Sequence, residues 1–201
     1  LRYNDFTAYV VGNTEMAEAV KVLARAHQSL IWTRQRQLNQ LRSTLREFYP
    51  AALEAFAELG HSDALAVLAV APTPTLGRQA SRSKIASALR RGGRQRRIDE
   101  RAEQIQTALR TDQLTAPALV SEAMGSTVTA LVSIAGELTA QIARIEAEMA
   151  ESFDQHPDAE IIRSLPGLGM ILGARVLAEF GDDPNRYADA KCRKNYAGTS
   201  P

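Results

Sequence analysis

The chain has 201 residues, 45% of them hydrophobic but only 5% aromatic, and a formal net charge of +1. That length holds one good core, or an extended helical body with a small module, and an Ala- and Leu-rich, aromatic-poor composition favours helix over sheet. The single cysteine, Cys192, excludes an internal disulfide framework and fits a reducing cytosol. With no histidine near it in sequence, it is a poor catalytic thiol.

Charge is unevenly placed. Residues 77–97 hold eight of the 24 basic residues and none of the 23 acids, so a basic block sits in an otherwise acidic chain. Such a block is either a solvated face or a nucleic-acid contact, and composition alone does not choose. Arg90, Arg91, Arg94, Arg96 and Arg97 are its candidate contacts. No unbroken apolar run reaches membrane-spanning length, so no membrane partner is expected.

In chain order, residues 1–12 are short and mixed, with Tyr9-Val10-Val11 the only strand-like run. Asn13 or Thr14 caps the next segment, which no Gly or Pro interrupts until Pro50. Met16, Val20, Leu23, His27, Leu30, Leu38, Leu41, Leu45 and Phe48 fall at steps of three and four, with Arg34 taking a seam position. This pattern predicts a long amphipathic helix. Its segment 33–46 (TRQRQLNQLRSTLR) carries Arg34, Arg36, Arg42 and Arg46 with amide side chains and no acid. That face suits phosphates or base edges, or a solvated coiled-coil flank.

Residues 51–71 form a smaller apolar unit that Pro72-Thr73-Pro74 breaks. Short basic helices are expected over 81–91 and 94–110, separated by Gly92-Gly93. A second long helix is expected from about Pro117 to Phe153, with Val120, Met124, Leu131, Ile134, Leu138, Ile142, Ile145 and Met149 in the same rhythm. Two long helices with matching seams suggest an antiparallel coiled-coil arm, able to pair with a second copy of the chain.

After His156-Pro157-Asp158, a helix is expected over 159–165, a hairpin Pro166-Gly167-Leu168-Gly169, a helix over 170–180 and a last helix over 188–196. A Gly-containing turn before a helix lets a ligand approach the free amides of the first turn, which suits phosphate. Gly167, Leu168, Gly169 and Met170 are the candidate DNA contacts, with Lys191, Arg193 and Lys194 adding charge. The plainer reading is a tight turn that only packs helices, which Gly173 and Ala174 also suit. Asp182 and Asp183 are better turn or cap residues than metal ligands. No zinc spacing, Lys-Ser phosphate loop or Gly-x-Ser-x-Gly is present, so the residues offer no active site.

Residues 161–201 closely resemble the start of the C-terminal domain of DEDD-type insertion-sequence transposases, the IS-one-ten group, also met as bridge-RNA-guided recombinases. The resemblance is carried by Leu165-Pro166-Gly167-Leu168-Gly169, by Ala178-Glu179-Phe180-Gly181-Asp182, by Arg186-Tyr187 and by Tyr196-Ala197-Gly198-Thr199-Ser200-Pro201. Upstream, Ala24-Arg25 and the run 33–42 look like the same group's long helix. The resemblance implies a preceding RuvC-like domain whose acids bind magnesium, and a nucleophilic serine shortly after the Tyr-Ala-Gly-x-x-Pro motif. On this expectation the chain lies between those catalytic groups and has no catalytic residue, metal or cofactor of its own. Ser200 occupies the x of the motif, not the nucleophile's place.

The expectation is therefore an all-α fold: the end of a preceding domain over 1–13, a coiled-coil arm with a helical insert over 14–155, and a helix-hairpin-helix-like module over 156–201. The expected partners are DNA, a guide RNA and a second copy of the chain, in a prokaryotic cytoplasm. The intact parent would cut and rejoin DNA. The alternative is a non-enzymatic helix-hairpin-helix DNA-binding or scaffold protein.

Overall fold

A computed structural model describes residues 12–114 and 116–198. The strand-like run at Tyr9-Val10-Val11 and the end of the Tyr-Ala-Gly-x-x-Pro motif lie outside the described residues. Within them the fold is all-α, with no strand.

Helix α1 (Glu15–Phe48) starts at Thr14, whose hydroxyl accepts the Ala17 N–H at 3.2 Å, and Glu15 and Glu18 sit in its positive first turn. Pro50 ends it and supplies the first turn of α2 (Pro50–Ala55). Helix α3 (Ser62–Val70) comes next, and then α4 (Pro74–Gln79), capped by Thr73. Pro74 thus starts a helix rather than only breaking one, because a first-turn residue has no hydrogen bond to lose.

Ser81 caps α5 (Arg82–Arg91) by accepting the Lys84 N–H at 3.2 Å. Helix α6 (Ile98–Leu109) starts later than its charge pattern suggests. The residues before it turn sharply, with Gly93 at φ 88° and Arg97 at φ 52°. The remaining helices are α7 (Ala118–Asp154), α8 (Ala159–Arg163), α9 (Met170–Phe180) and α10 (Ala190–Tyr196).

The helices pack as two units, and the division falls inside α1 and α7. One unit is residues 30–141. Its core gathers Leu38, Leu41, Leu45 and Phe48 of α1, Leu65 and Leu68 of α3, Ile85 and Leu89 of α5, Ile105 and Leu109 of α6, and Val128, Leu131 and Val132 of α7. Burying each such side chain contributes roughly 1.5–3 kcal/mol. Tyr49 is fully buried there and its ring lies against Gly77.

The other unit is residues 1–29 and 142–201. Its smaller core joins Ala17, Val20 and Ala24 of α1, Met149 and Phe153 of α7, and Ala174, Leu177 and Ala178 of α9. Phe153 lies over Gly173, so the close packing expected of Gly173 and Ala174 is what the fold uses.

The absence of an unbroken apolar run does not by itself take α7 out of consideration as a span. By length and composition α7 qualifies, with a mean hydropathy of 1.5 over its most apolar window. Ser, Thr and Gly break its apolar runs without adding charge. One such helix is weak evidence for a span, and Val128, Leu131, Val132 and Ala135 of α7 are buried in the protein's own core.

Candidate functional site

The hairpin joins α8 to α9. The Leu168 N–H donates to the Leu165 carbonyl at 3.1 Å, with Pro166 second and Gly167, at φ 80°, third in the turn. That is the arrangement of a type II turn, which needs a positive φ at its third residue. Gly169 then caps α9 in an extended conformation, with no side chain covering the first-turn amides. A Cβ added at Gly167 or Gly169 would meet nothing within 4 Å, so the outer side of the turn is open. Of the four candidate contacts here, Gly167 and Gly169 are exposed, while Leu168 and Met170 are half-buried. Exposed Leu165 and Leu172 flank them.

Lys191, Arg193 and Lys194 are exposed on α10. The fold places Arg193 away from the hairpin. Arg193 lies over the rings of Phe180 and Tyr187, with its guanidinium carbon 5.8 and 5.2 Å from their centroids. Phe180 is the last residue of α9 and the hairpin precedes its first, a separation of about 15 Å along the helix.

The arginines of 33–46 divide by role. Arg34 is half-buried: its Nε donates to Thr139 Oγ1 at 2.8 Å and its Nη2 to the Gly60 carbonyl. Arg42 Nη2 donates to the Ala57 carbonyl at 3.3 Å. Both tie down the loop between α2 and α3, at carbonyls that no helix satisfies. Arg101, which the sequence pattern did not single out, does the same at the Ala55 carbonyl, 2.7 Å away. Arg36 bonds Thr33 Oγ1 at 3.0 Å, and Arg46 is exposed in the last turn of α1.

The basic block divides likewise. Arg94 pairs with Asp63 at 2.8 Å, and Arg97 binds both carboxylate oxygens of Glu100. Arg90, Arg91 and Arg96 are exposed and make no ion pair among the described residues. They surround the turn at Gly92-Gly93. Gly92 lies so close to the start of α3 that a Cβ would come 2.6 Å from Asp63 Cα.

A polar network anchors α1 against the turn after α9. The Asp182 carboxylate accepts from the Thr14 N–H at 2.9 Å, from the Thr14 hydroxyl, and from His156 Nε2 at 3.1 Å. The Asp158 N–H donates to His156 Nδ1 at 3.1 Å, so the ring proton of neutral His156 sits on Nε2. Asp182 is thus a capping residue, although the helix that it caps is α1. Deeper in the same unit, His27 Nδ1 accepts from Arg175 Nη2 at 3.1 Å and Nε2 faces Glu146 at 3.8 Å.

These two sites contribute to the response to acid. Burial, and then the nearby Arg175 charge, hold His27 below its ordinary 6.5 against a smaller pull from Glu146. Burial raises Asp182, but the bonds from Thr14 and His156 outweigh it and hold the carboxyl below 3.8. In both cases the unfolded chain binds the proton more readily. Stability should therefore be full above about pH 6.5 and fall in two stages, as His27 and then Asp182 titrate. Urea midpoints measured across that range test this: Asp182→Asn should shrink the lower stage, which Glu18 shares, and His27→Gln should remove the upper. Parallel profiles for all three proteins would refute it.

In the comparisons with known proteins, residues 159–201 match the family described as Transposase IS116/IS110/IS902. The match starts at α8 and takes in the hairpin, α9 and α10. Over 193 residues, 94% of its length, the chain is 39% identical to the mini-circle putative transposase for IS117 of Streptomyces coelicolor. It is 31% identical to an uncharacterized 44.8 kDa protein of insertion element IS116 from Streptomyces clavuligerus, and 29% to an uncharacterized 42 kDa protein of IS900 from Mycobacterium paratuberculosis, over 93% of the chain each time. The chain spans about half the length of these relatives, 47%, 46% and 46% respectively. No solved structure matches. The resemblance read from the hairpin and the motifs around it is borne out.

Proposed function

We propose that this chain is the nucleic-acid-holding portion of an insertion-sequence transposase whose intact form cuts and rejoins DNA. The observation that carries this reading is the open hairpin, with Gly167 and Gly169 unobstructed before uncapped α9 amides, inside the segment that matches the transposase family. Such amides hold a phosphate without reading a base. Arg90, Arg91 and Arg96, free of ion pairs around their turn, form a second contact for a phosphate backbone. The long helices α1 and α7 serve as the arm on which two copies pair, and a guide RNA is a second nucleic-acid partner.

Magnesium, which the family resemblance implies for an intact parent, does not fit the residues described. They contain no group of three His, Cys, Asp or Glu able to hold a metal ion. Asp182, a largely enclosed carboxylate, already accepts from Thr14 and His156.

Duplex binding measured against salt tests the reading. The logarithm of affinity should fall linearly with the logarithm of salt, with a slope of about 0.9 per phosphate contact. Changing Arg90, Arg91 and Arg96 together to alanine should flatten that slope. Gly169→Leu fits the local backbone, at φ −73°, and fills the open side. It should weaken binding about tenfold if one charge-assisted amide contact is lost. A chain that binds no DNA, or binds it without a salt slope, would sink the proposal.

A further inference from the structure

Where the chain leaves α9, three aromatic rings meet at the surface. Phe180, Tyr187 and Tyr196 lie with centroids 5.6 to 6.1 Å apart and tilted planes. Arg186 sits over Tyr187 and Tyr196, its guanidinium carbon 5.6 and 5.5 Å from their centroids. Arg193 covers Phe180 and Tyr187 from α10. This is not an ordinary core: α10 has no buried residue, and Tyr196 is 51% exposed. Helices held only by packing use aliphatic side chains and exclude charge. Here rings and guanidiniums alternate on an open surface in a chain whose aromatic content is only 5%.

Alternation of aromatic faces with cations is how proteins hold an unpaired base, the ring stacking on the base and the cation lying by the backbone. We propose that Tyr196, backed by Tyr187 and Phe180 and flanked by Arg186 and Arg193, is a stacking platform for an unstacked base of a single-stranded nucleic acid. A duplex keeps its bases stacked on one another and cannot use the platform. The cluster lies at the far end of α9 from the hairpin, so the two contacts are separable by mutation. The inference rests on the nucleic-acid reading above and specifies the form of the ligand at this second position.

The test uses the whole chain and two labelled probes, a twenty-nucleotide oligo-dT and a duplex of the same length, followed by fluorescence anisotropy. Tyr196→Leu keeps apolar bulk and removes the stack, while Tyr196→Phe keeps the stack. The leucine variant should bind oligo-dT about tenfold more weakly, the phenylalanine variant should match the parent, and duplex binding should stay constant. Equal helix content by circular dichroism shows that α10 is retained; if leucine disturbs it, Tyr196→His restores a planar ring and should recover binding. Unchanged oligo-dT affinity in the leucine variant, with duplex binding and its salt slope intact, overturns the platform alone. Failure of the parent to bind either probe overturns both readings.

Discussion

Gly77→Ala should be among the most damaging single changes in the unit spanning residues 30–141. A Cβ at that position would overlap the hydroxyl of Tyr49 and approach Cζ to 2.9 Å. Tyr49 cannot retreat, since it is fully buried against Phe48, with ring centroids 6.0 Å apart. Overpacking of this kind costs about 1–3 kcal/mol, and for a chain of this length each kcal/mol lowers the melting temperature by roughly 2–4 °C. Tyr49→Phe supplies the control. The buried phenol has no hydrogen-bond partner among the described residues, and burial pushes its pKa up. Removing it should be close to neutral or stabilising. In the double variant part of the Gly77→Ala loss should return, because the worst overlap is gone while the Cζ contact remains. Additive effects in that cycle would mean that the two residues do not meet.

This contact also shows where the sequence was readable and where it was not. The periodic apolar residues of α1 and α7 forecast two long helices, because burial repeating every three to four residues is a local signal. Thr14, one of the two caps expected for α1, accepts the Ala17 N–H, whereas Ser81 and Asp189 cap helices whose expected spans include them. The hairpin was readable because a Pro-Gly turn needs no distant partner. Gly77 had no such signal: its reason for being glycine is Tyr49, in another element.

The same limit applies to the arginines. In the sequence Arg34 and Arg96 are both cations in polar runs, and only Arg34's place on the apolar seam hinted at burial. Which of them fastens a loop carbonyl depends on where residues 55–60 pass, and that is a tertiary fact. The Phe180–Tyr187–Tyr196 cluster was invisible for a related reason. Its three rings come from α9, the following turn and α10, so no single period connects them.

Phe153→Ala should have the larger effect on the unit that carries the hairpin. Phe153 is fully buried and fills the space left by Gly173, where an added Cβ would fall 2.8 Å from its Cζ and 3.2 Å from Ile162 Cγ2. Phe-to-Ala changes at such sites cost about 3–5 kcal/mol. This core is small and built largely of alanines, so few neighbouring side chains can collapse into the cavity. Gly173→Ala attacks the same contact from the other side, by overpacking. The pair Phe153→Leu and Gly173→Ala should therefore be milder together than the sum of the two alone. Hydrogen exchange of the α9 amides is the direct readout, because α9 is the helix that Phe153 seats. The same geometry has a functional consequence. The amides proposed to hold phosphate belong to the first turn of α9, four residues or fewer from Gly173, and on that proposal they serve only while the turn is held still. Phe153→Ala should thus weaken duplex binding although Phe153 is buried and touches no ligand. The leucine–alanine pair should restore binding and α9 protection together. Protection restored without binding would separate the seating of α9 from the phosphate contact and place that contact elsewhere.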